Sequence, residues 1–323
     1  MKIGFIGCGN ISKTMAYTIN EMHNKEIELY AVSARDLARA NEFKEKYGAK
    51  VAYGSYEELC QDSNVDLVYV ATPHSHHYRH IMLALTNNKA VLCEKAFTMN
   101  AMEAEACISY AREHKLFLSE AIWTRYMPSR RIISDLVNSN VVGHITSLSA
   151  NLGYTISNVE RLKDPRLCGG ALLDVGVYPT NFALMCFGND YKSIEASCLR
   201  SDEGVDLTNN FVFYYKDKVA HMHSTMLAST DRRGYIYGDN GYIRVDNVNN
   251  PYEIRIYNKN HLMTRNIIVP QQITGYEYQL LECNECLNKG LTEAPSMPLD
   301  ETLFVMKTFD KIRQKMGIKY PME

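Results

Sequence analysis

A glycine-rich turn, Gly7-Cys8-Gly9-Asn10-Ile11-Ser12, lies between an apolar strand, Lys2 to Ile6, and a segment of helical spacing. In that segment Ile11, Met15, Ile19 and Met22 share one side. The strand-then-helix alternation then repeats. Strands are predicted at 27–32, 50–53, 66–71, 90–93 and 116–119, and helices at 36–47, 56–60, 76–87 and 101–114. Asp66 to Ala71 is nearly all apolar, as a strand buried on both faces must be. The pattern predicts an α/β domain with a parallel, doubly wound sheet of Rossmann type.

The middle of the chain changes character. Short alternating segments rich in Tyr, Val, Ile and Thr occur at 145–153, 211–216, 219–227, 234–238, 242–246 and 253–257. Turn signals such as Asp239-Asn240-Gly241 separate them, which predicts a large, mostly antiparallel open sheet in an α+β domain. One helix, 176–187, sits within this region, and two more, about 276–288 and 299–316, close the chain. At 323 residues two domains are expected, 1–122 and 123–323, with the 299–316 helix free to pack back on the first.

Bulk properties exclude several classes. Formal charge is −2 and the basic residues are dispersed, so no nucleic-acid partner is expected. No apolar run approaches the roughly 18 residues of a membrane span. Met1-Lys2 leads straight into the first strand, without the apolar core of an export signal. The nine cysteines are scattered, and they read as reduced thiols in a cytoplasmic protein.

The G-x-G-x-x-S turn stands where a dinucleotide loop belongs, after a strand and at a helix start. Gly7 permits the tight turn, Gly9 lets backbone approach a pyrophosphate, and Asn10 and Ile11 open the helix whose N–H groups face an anion. Ser12 replaces the third glycine, so a slightly looser helix–strand contact is expected. At the end of the second strand an NAD site normally carries an acid for the ribose hydroxyls. Here Ala34 stands there, flanked by Ser33 and Arg35, which suit a 2′-phosphate by hydroxyl donation and by charge with stacking. NADP(H) is therefore preferred, with NAD(H) the alternative. Asp36 is expected to cap the following helix.

Thr72-Pro73-His74-Ser75-His76-His77 follows the fourth strand at the expected switch point. Without a nearby carboxylate or cysteine cluster, cofactor lining and helix capping by Thr72, His74 and His77 outweigh a metal site, and no metal is expected. The lone Cys283-Asn284-Glu285-Cys286 is read as incidental. Lys95 closes the buried run Ala90-Val91-Leu92-Cys93-Glu94, where a hydride-transfer enzyme would place a proton handler. Asp174 and Tyr178, four apart after Gly169-Gly170, would share one helical face.

These segments together resemble the Gfo/Idh/MocA oxidoreductase family. The turn at 7–12, Ala71-Thr72-Pro73, Cys93-Glu94-Lys95 and the 169–178 cluster carry the resemblance, which spans essentially the whole chain. Glu120 through Pro128 and the ending Gly317-Ile318-Lys319-Tyr320-Pro321 are most similar to its dimeric dihydrodiol dehydrogenase branch. The resemblance implies an active site between the two domains, with Lys95 and Tyr178 catalytic and Asp174 near the substrate. It also implies that Glu94, Trp123 and Arg125 line the cofactor and substrate cleft. The family's Glu-Lys-Pro is Glu94-Lys95-Ala96 here, from which a less rigid loop is expected. Transfer of a hydride between a nicotinamide and a secondary alcohol or carbonyl of a sugar, polyol or diol follows, with a small polar substrate. The competing readings are an NAD-dependent glycoside hydrolase on the same fold and a non-catalytic nucleotide-binding regulator. Tyrosines at 214, 215, 235, 237, 242, 252 and 257 suit a homodimer contact through the open sheet.

Overall fold

The computed structural model describes residues 1–323. The chain divides into two compact units, Met1–Tyr126 with Gln272–Met306, and Met127–Gln271 with Lys307–Glu323.

The first unit alternates β1 (Lys2–Ile6), α1 (Asn10–Met22), β2 (Glu28–Ser33), α2 (Leu37–Tyr47), β3 (Val51–Tyr53), α3 (Tyr56–Gln61), β4 (Leu67–Val70), α4 (His74–Thr86), β5 (Ala90–Glu94), α5 (Ala101–Glu113) and β6 (Leu118–Ala121). All neighbours pair in parallel, in the order β3-β2-β1-β4-β5-β6. Strand order reverses between β1 and β4, and in such sheets ligands bind at the carboxyl ends beside that point. Every residue of β4 and β5 is buried, as helices on both faces require. Asp36 caps α2 by accepting from Ala38 N–H at 2.9 Å, and Gly48 ends it in the left-handed conformation.

The second unit contains α6 (Pro128–Asn138), β7 (Ile145–Gly153), α7 (Glu160–Lys163), α8 (Val177–Phe187), β8 (Ser193–Arg200), β9 (Asp206–Tyr214), β10 (Val219–Thr225), β11 (Gly234–Gly238), β12 (Gly241–Asp246), β13 (Glu253–Asn258) and β14 (Met263–Ile268). Its eight strands run β14-β13-β12-β11-β7-β10-β9-β8, antiparallel except where β7 lies parallel to β10. Ile236, Ile243, Ile254 and Phe211 are fully buried, whereas the alternate tyrosines of β11 to β13 are only half-buried. A helical stretch, Pro165–Phe187, is long and apolar enough to cross a membrane by length and composition, contrary to the expectation from apolar runs. Its most apolar window is 94% buried inside the structure, so it is a core helix.

The division differs from the single cut after residue 122. The last helices are α9 (Glu277–Asn288) and α10 (Leu299–Met316). Gln272–Met306 groups with the first unit, so α9 and the start of α10 belong there. Thr292 O accepts from Leu118 N–H at 3.0 Å, Asn284 donates to Glu26 at 3.0 Å, and Thr18 pairs with Thr274 at 2.7 Å. The first unit also extends to Tyr126, whose hydroxyl is 2.7 Å from the Ser119 hydroxyl of β6.

Candidate active site

Gly7 has φ +104°, and a β-carbon there would stand 2.9 Å from Ala71 O, so the turn needs glycine on both counts. A β-carbon on Gly9 would meet nothing nearer than Ala71 O at 4.0 Å, so open space lies on its outer side. No side chain caps α1, and its first N–H groups remain available to an anion, with exposed Asn10 and half-buried Ile11 in the first turn. Ser12 does not loosen the contact as expected. It is fully buried, and its hydroxyl donates to Gly7 O at 2.8 Å, tying the helix back to the turn. This uncapped helix start beside two glycines fits a dinucleotide pyrophosphate.

At the end of β2 the two residues assigned to a 2′-phosphate part company. Ser33 is fully buried and donates its hydroxyl to Phe5 O at 3.1 Å, so the sheet, not a ligand, holds it. Arg35 is exposed, and its positive charge depresses the imidazoles of His76 and His80 after burial has done so first. Two basic residues missed by sequence reasoning join it. Arg39 donates to Cys8 O at 3.4 Å, and Arg39 and Lys13 both act on the Cys8 thiol. The signal was available, since Arg39 falls in the first turn of the helix that Asp36 caps, four residues after Arg35.

The histidines after β4 serve the loop rather than a cap. Pro73 stands at the N-cap of α4, and no side chain bonds there. His77 is fully buried. Its Nε2 lies 2.7 Å from Thr72 O, and its Nδ1 lies 2.9 Å from Ala96 O and 3.2 Å from Phe97 O. Burial pulls this imidazole down to about 4. The ring therefore bridges two loops, a structural role in place of the expected cofactor contact. Thr72 Oγ1 pairs with His80 Nδ1 at 2.9 Å, and buried His74 packs edge-on against His77 at 5.7 Å. No cluster of three His, Cys, Asp or Glu side chains is placed to hold a metal. Cys283 and Cys286 are buried on α9, and burial pushes both thiols up, Cys286 to about 11.

From Ala90 to Asn100 every residue is buried except Lys95. The Lys95–Ala96 peptide is cis. The expected looseness around Ala96 is absent, because Ala96 and Phe97 are fully buried and both carbonyls face His77. Glu94 is 6% exposed and accepts from the Tyr69 hydroxyl, so it is held inside the sheet. Trp123 stacks on Tyr276, ring centroids 4.3 Å apart and planes 6° from parallel. Tyr276 was missed because it arrives from 150 residues downstream. Arg125 is 4% exposed and paired with Glu301 at 2.6 Å. Glu120, also missed, is fully buried on β6.

In the second unit, Gly170 has φ +116°, and a β-carbon there would collide with Asp206 Oδ1 at 2.2 Å. Asp206 Oδ2 accepts from Leu172 N–H and from Asn209, each at 2.7 Å, and burial raises its carboxyl to about 6. This fixes the start of a π-helical turn, Leu172–Gly176, that runs into α8. Asp174 sits within the π turn, so the simple i, i+4 relation to Tyr178 does not hold; such turns recur at functional sites. Asp174 is 6% exposed and accepts from Arg161 at 2.9 Å. Tyr178, 7% exposed, occupies the first turn of α8. Lys95 and Tyr178 thus stand on different units, each on a rigidly packed element.

A Rossmann sheet with a dinucleotide cradle, beside a lysine at the end of β5, defines a nucleotide-dependent oxidoreductase. Residues 1–122 match the model for the oxidoreductase family with an NAD-binding Rossmann fold, and residues 131–244 match the GFO/IDH/MocA C-terminal domain. The chain belongs to the Gfo/Idh/MocA family. It is 31% identical over 335 residues to trans-1,2-dihydrobenzene-1,2-diol dehydrogenase of Mus musculus, covering 100% of this chain and 99% of that one. The Danio rerio enzyme of the same name is 33% identical over 333 residues, with the same coverage. Among solved structures, KijD10, a 3-ketoreductase from Actinomadura kijaniata in complex with NADP and TDP-benzene, superposes with TM-score 0.90 at 24% identity over 98% of both chains. Aldose-aldose oxidoreductase from Caulobacter crescentus superposes with TM-score 0.87 at 20% identity, covering 98% of this chain and 97% of that one. These last two likenesses concern the fold.

Proposed function

We propose that this oxidoreductase uses NADP(H) to move a hydride between nicotinamide and a secondary alcohol or carbonyl of a sugar, polyol or diol-type small molecule. The observation that carries the reading is Lys95. It is the one residue left incompletely buried in an otherwise sealed segment, at the carboxyl end of a strand beside the sheet's switch point. The pyrophosphate falls to Gly7, Gly9 and the N-terminus of α1, and a 2′-phosphate to Arg35, Arg39 and Lys13. When bound, the nicotinamide supplies or accepts the hydride. The chain's own residues handle the proton. Tyr178 gives it to, or takes it from, the substrate oxygen. The Lys95 ammonium lowers the energy of the developing phenolate or alkoxide by its charge. Asp174, held by Arg161, orients a substrate hydroxyl. The names of the full-length relatives support the substrate class, and the cation cluster supports the phosphorylated cofactor.

Lys95→Met and Tyr178→Phe should each lower turnover about a hundredfold or more while NADPH binding survives. The assay is NADPH oxidation over a panel of carbonyls, with the reverse reaction on vicinal diols. Near-normal turnover in both variants would refute the assignment. We further propose that the chain works as a homodimer joined through the tyrosine-bearing face of the eight-stranded sheet.

A further inference from the structure

We propose that Glu120 is a positioning residue for Lys95, a carboxylic acid kept neutral behind the lysine loop to hold the Phe97 end of its turn. The inference rests on the catalytic reading of Lys95. Glu120 lies on β6 opposite Cys93 of β5, one residue before the Glu94–Ala121 pair. It is fully buried, and neither carboxyl oxygen completes a hydrogen bond. The donors turned toward it are the Phe97 N–H, two residues after Lys95, and the hydroxyl of Thr302, whose oxygen is itself buried and unpartnered.

The charges around it do not favour an anion. Arg125 is the cation that lowers it, and that guanidinium is already paired with Glu301 at 2.6 Å. Glu94, bonded to Tyr69, raises it by charge from β5, and the Cys93 thiol and Tyr126 hydroxyl are near enough to be raised by it. An ionised Glu120 would add a second carboxylate beside Glu94 without a free counter-charge. Burial accordingly raises its carboxyl to about 8. The neutral acid has one donor and one acceptor oxygen. The acceptor suits the Phe97 N–H and the donor suits the Thr302 oxygen, so a single proton satisfies three orphaned groups. His77 holds the same turn through its carbonyls from the other side. The lysine is then aimed by two neutral clamps, one on carbonyls and one on an amide.

Three variants and one spectrum test this. Glu120→Ala should lower kcat about tenfold or more with little change in KM for NADPH. Glu120→Gln copies the neutral acid and should recover kcat to within about threefold at pH 7. The unaltered enzyme should lose kcat/KM above an inflection near pH 8 that Glu120→Gln lacks, whereas Glu120→Asp should retain an alkaline inflection. The infrared spectrum of the full chain at pH 7 should carry a protonated-carboxyl band that disappears in Glu120→Gln. This band does not depend on the reaction catalysed. A Gln variant as slow as Ala, a Gln variant that keeps the alkaline inflection, an Ala variant of normal kcat, or no such band would each overturn the inference. Failure of the underlying reading would show separately, as normal turnover in Lys95→Met.

Discussion

Ser33 and Arg35 show how much the direction of one side chain decides. Both stand at the end of β2, where a 2′-phosphate is expected, yet the Ser33 hydroxyl points into the sheet at Phe5 O. Ser33→Ala should therefore leave the preference between NADPH and NADH unchanged, and should cost about 1 kcal/mol of stability for the lost buried hydrogen bond. Arg35→Ala should weaken NADPH binding tenfold or more and barely affect NADH, given the worth of a charge-assisted contact to phosphate. Fluorescence titration with both nucleotides reads the pair. The information for Ser33 was present in the sequence. β2 lies between β1 and β3, and a serine in a strand covered on both faces must spend its hydroxyl inside. Glu120 was legible for the same reason, but ending the strand at Ser119 left it outside.

At the scale of elements, the bridge made by His77 joins the start of α4 to the turn after β5. It couples loop geometry to pH. In the unfolded chain a histidine binds its proton near 6.5, and in the folded chain His77 does so only near 4. Above about 6.5 both states are neutral, and the contribution is complete. As pH falls toward 4 the unfolded chain holds more protons, so the fold loses stability, by up to about 3 kcal/mol from this residue. His80, drawn down to about 3 chiefly by burial, adds to the loss in the same direction. Thermal melts between pH 7 and 4 should show a steep decline in the unaltered chain and a shallower one in His77→Gln. The helices and strands of the first 120 residues were legible because their apolar periods are strong. β8 and β14 were not predicted. They are the sheet's two edges and largely exposed: β14 buries no residue, and in β8 only Ile194 is buried, with Ala196 and Cys198 partly covered, which is a weak apolar face to mark a strand.

At the scale of the whole molecule, the half-buried tyrosines of the second sheet bear on assembly. Tyr235 and Tyr237 stack at 5.8 Å, and Tyr242 stacks on Tyr257 at 4.7 Å, on the face opposite Ile236 and Ile243. Tyr215, grouped with them from sequence, is 7% exposed and donates to Gly188 O at 2.8 Å, so it belongs to the core. If this face joins two copies, sedimentation should give twice the chain's 36.9 kDa, and Tyr242→Lys should shift the species to a single chain with its melting temperature lowered by several degrees. A sequence pattern marks which face is apolar but not what covers it. The same limit hid the return of 272–306, since the apolar positions of α9 fit any sheet that needs a helix.

That return sets an order of events during synthesis. The first unit begins with β1, yet its last segment, Gln272–Met306, follows every strand of the second unit's sheet. A ribosome will have released the whole eight-stranded sheet of the second unit before α9 emerges. The nucleotide-binding unit is thus the first to start, yet it is completed only after that sheet has emerged. Until then its six-stranded sheet lacks the residues that meet Leu118, Glu26 and Thr18, and the nascent chain carries that exposed surface throughout the synthesis of the second sheet.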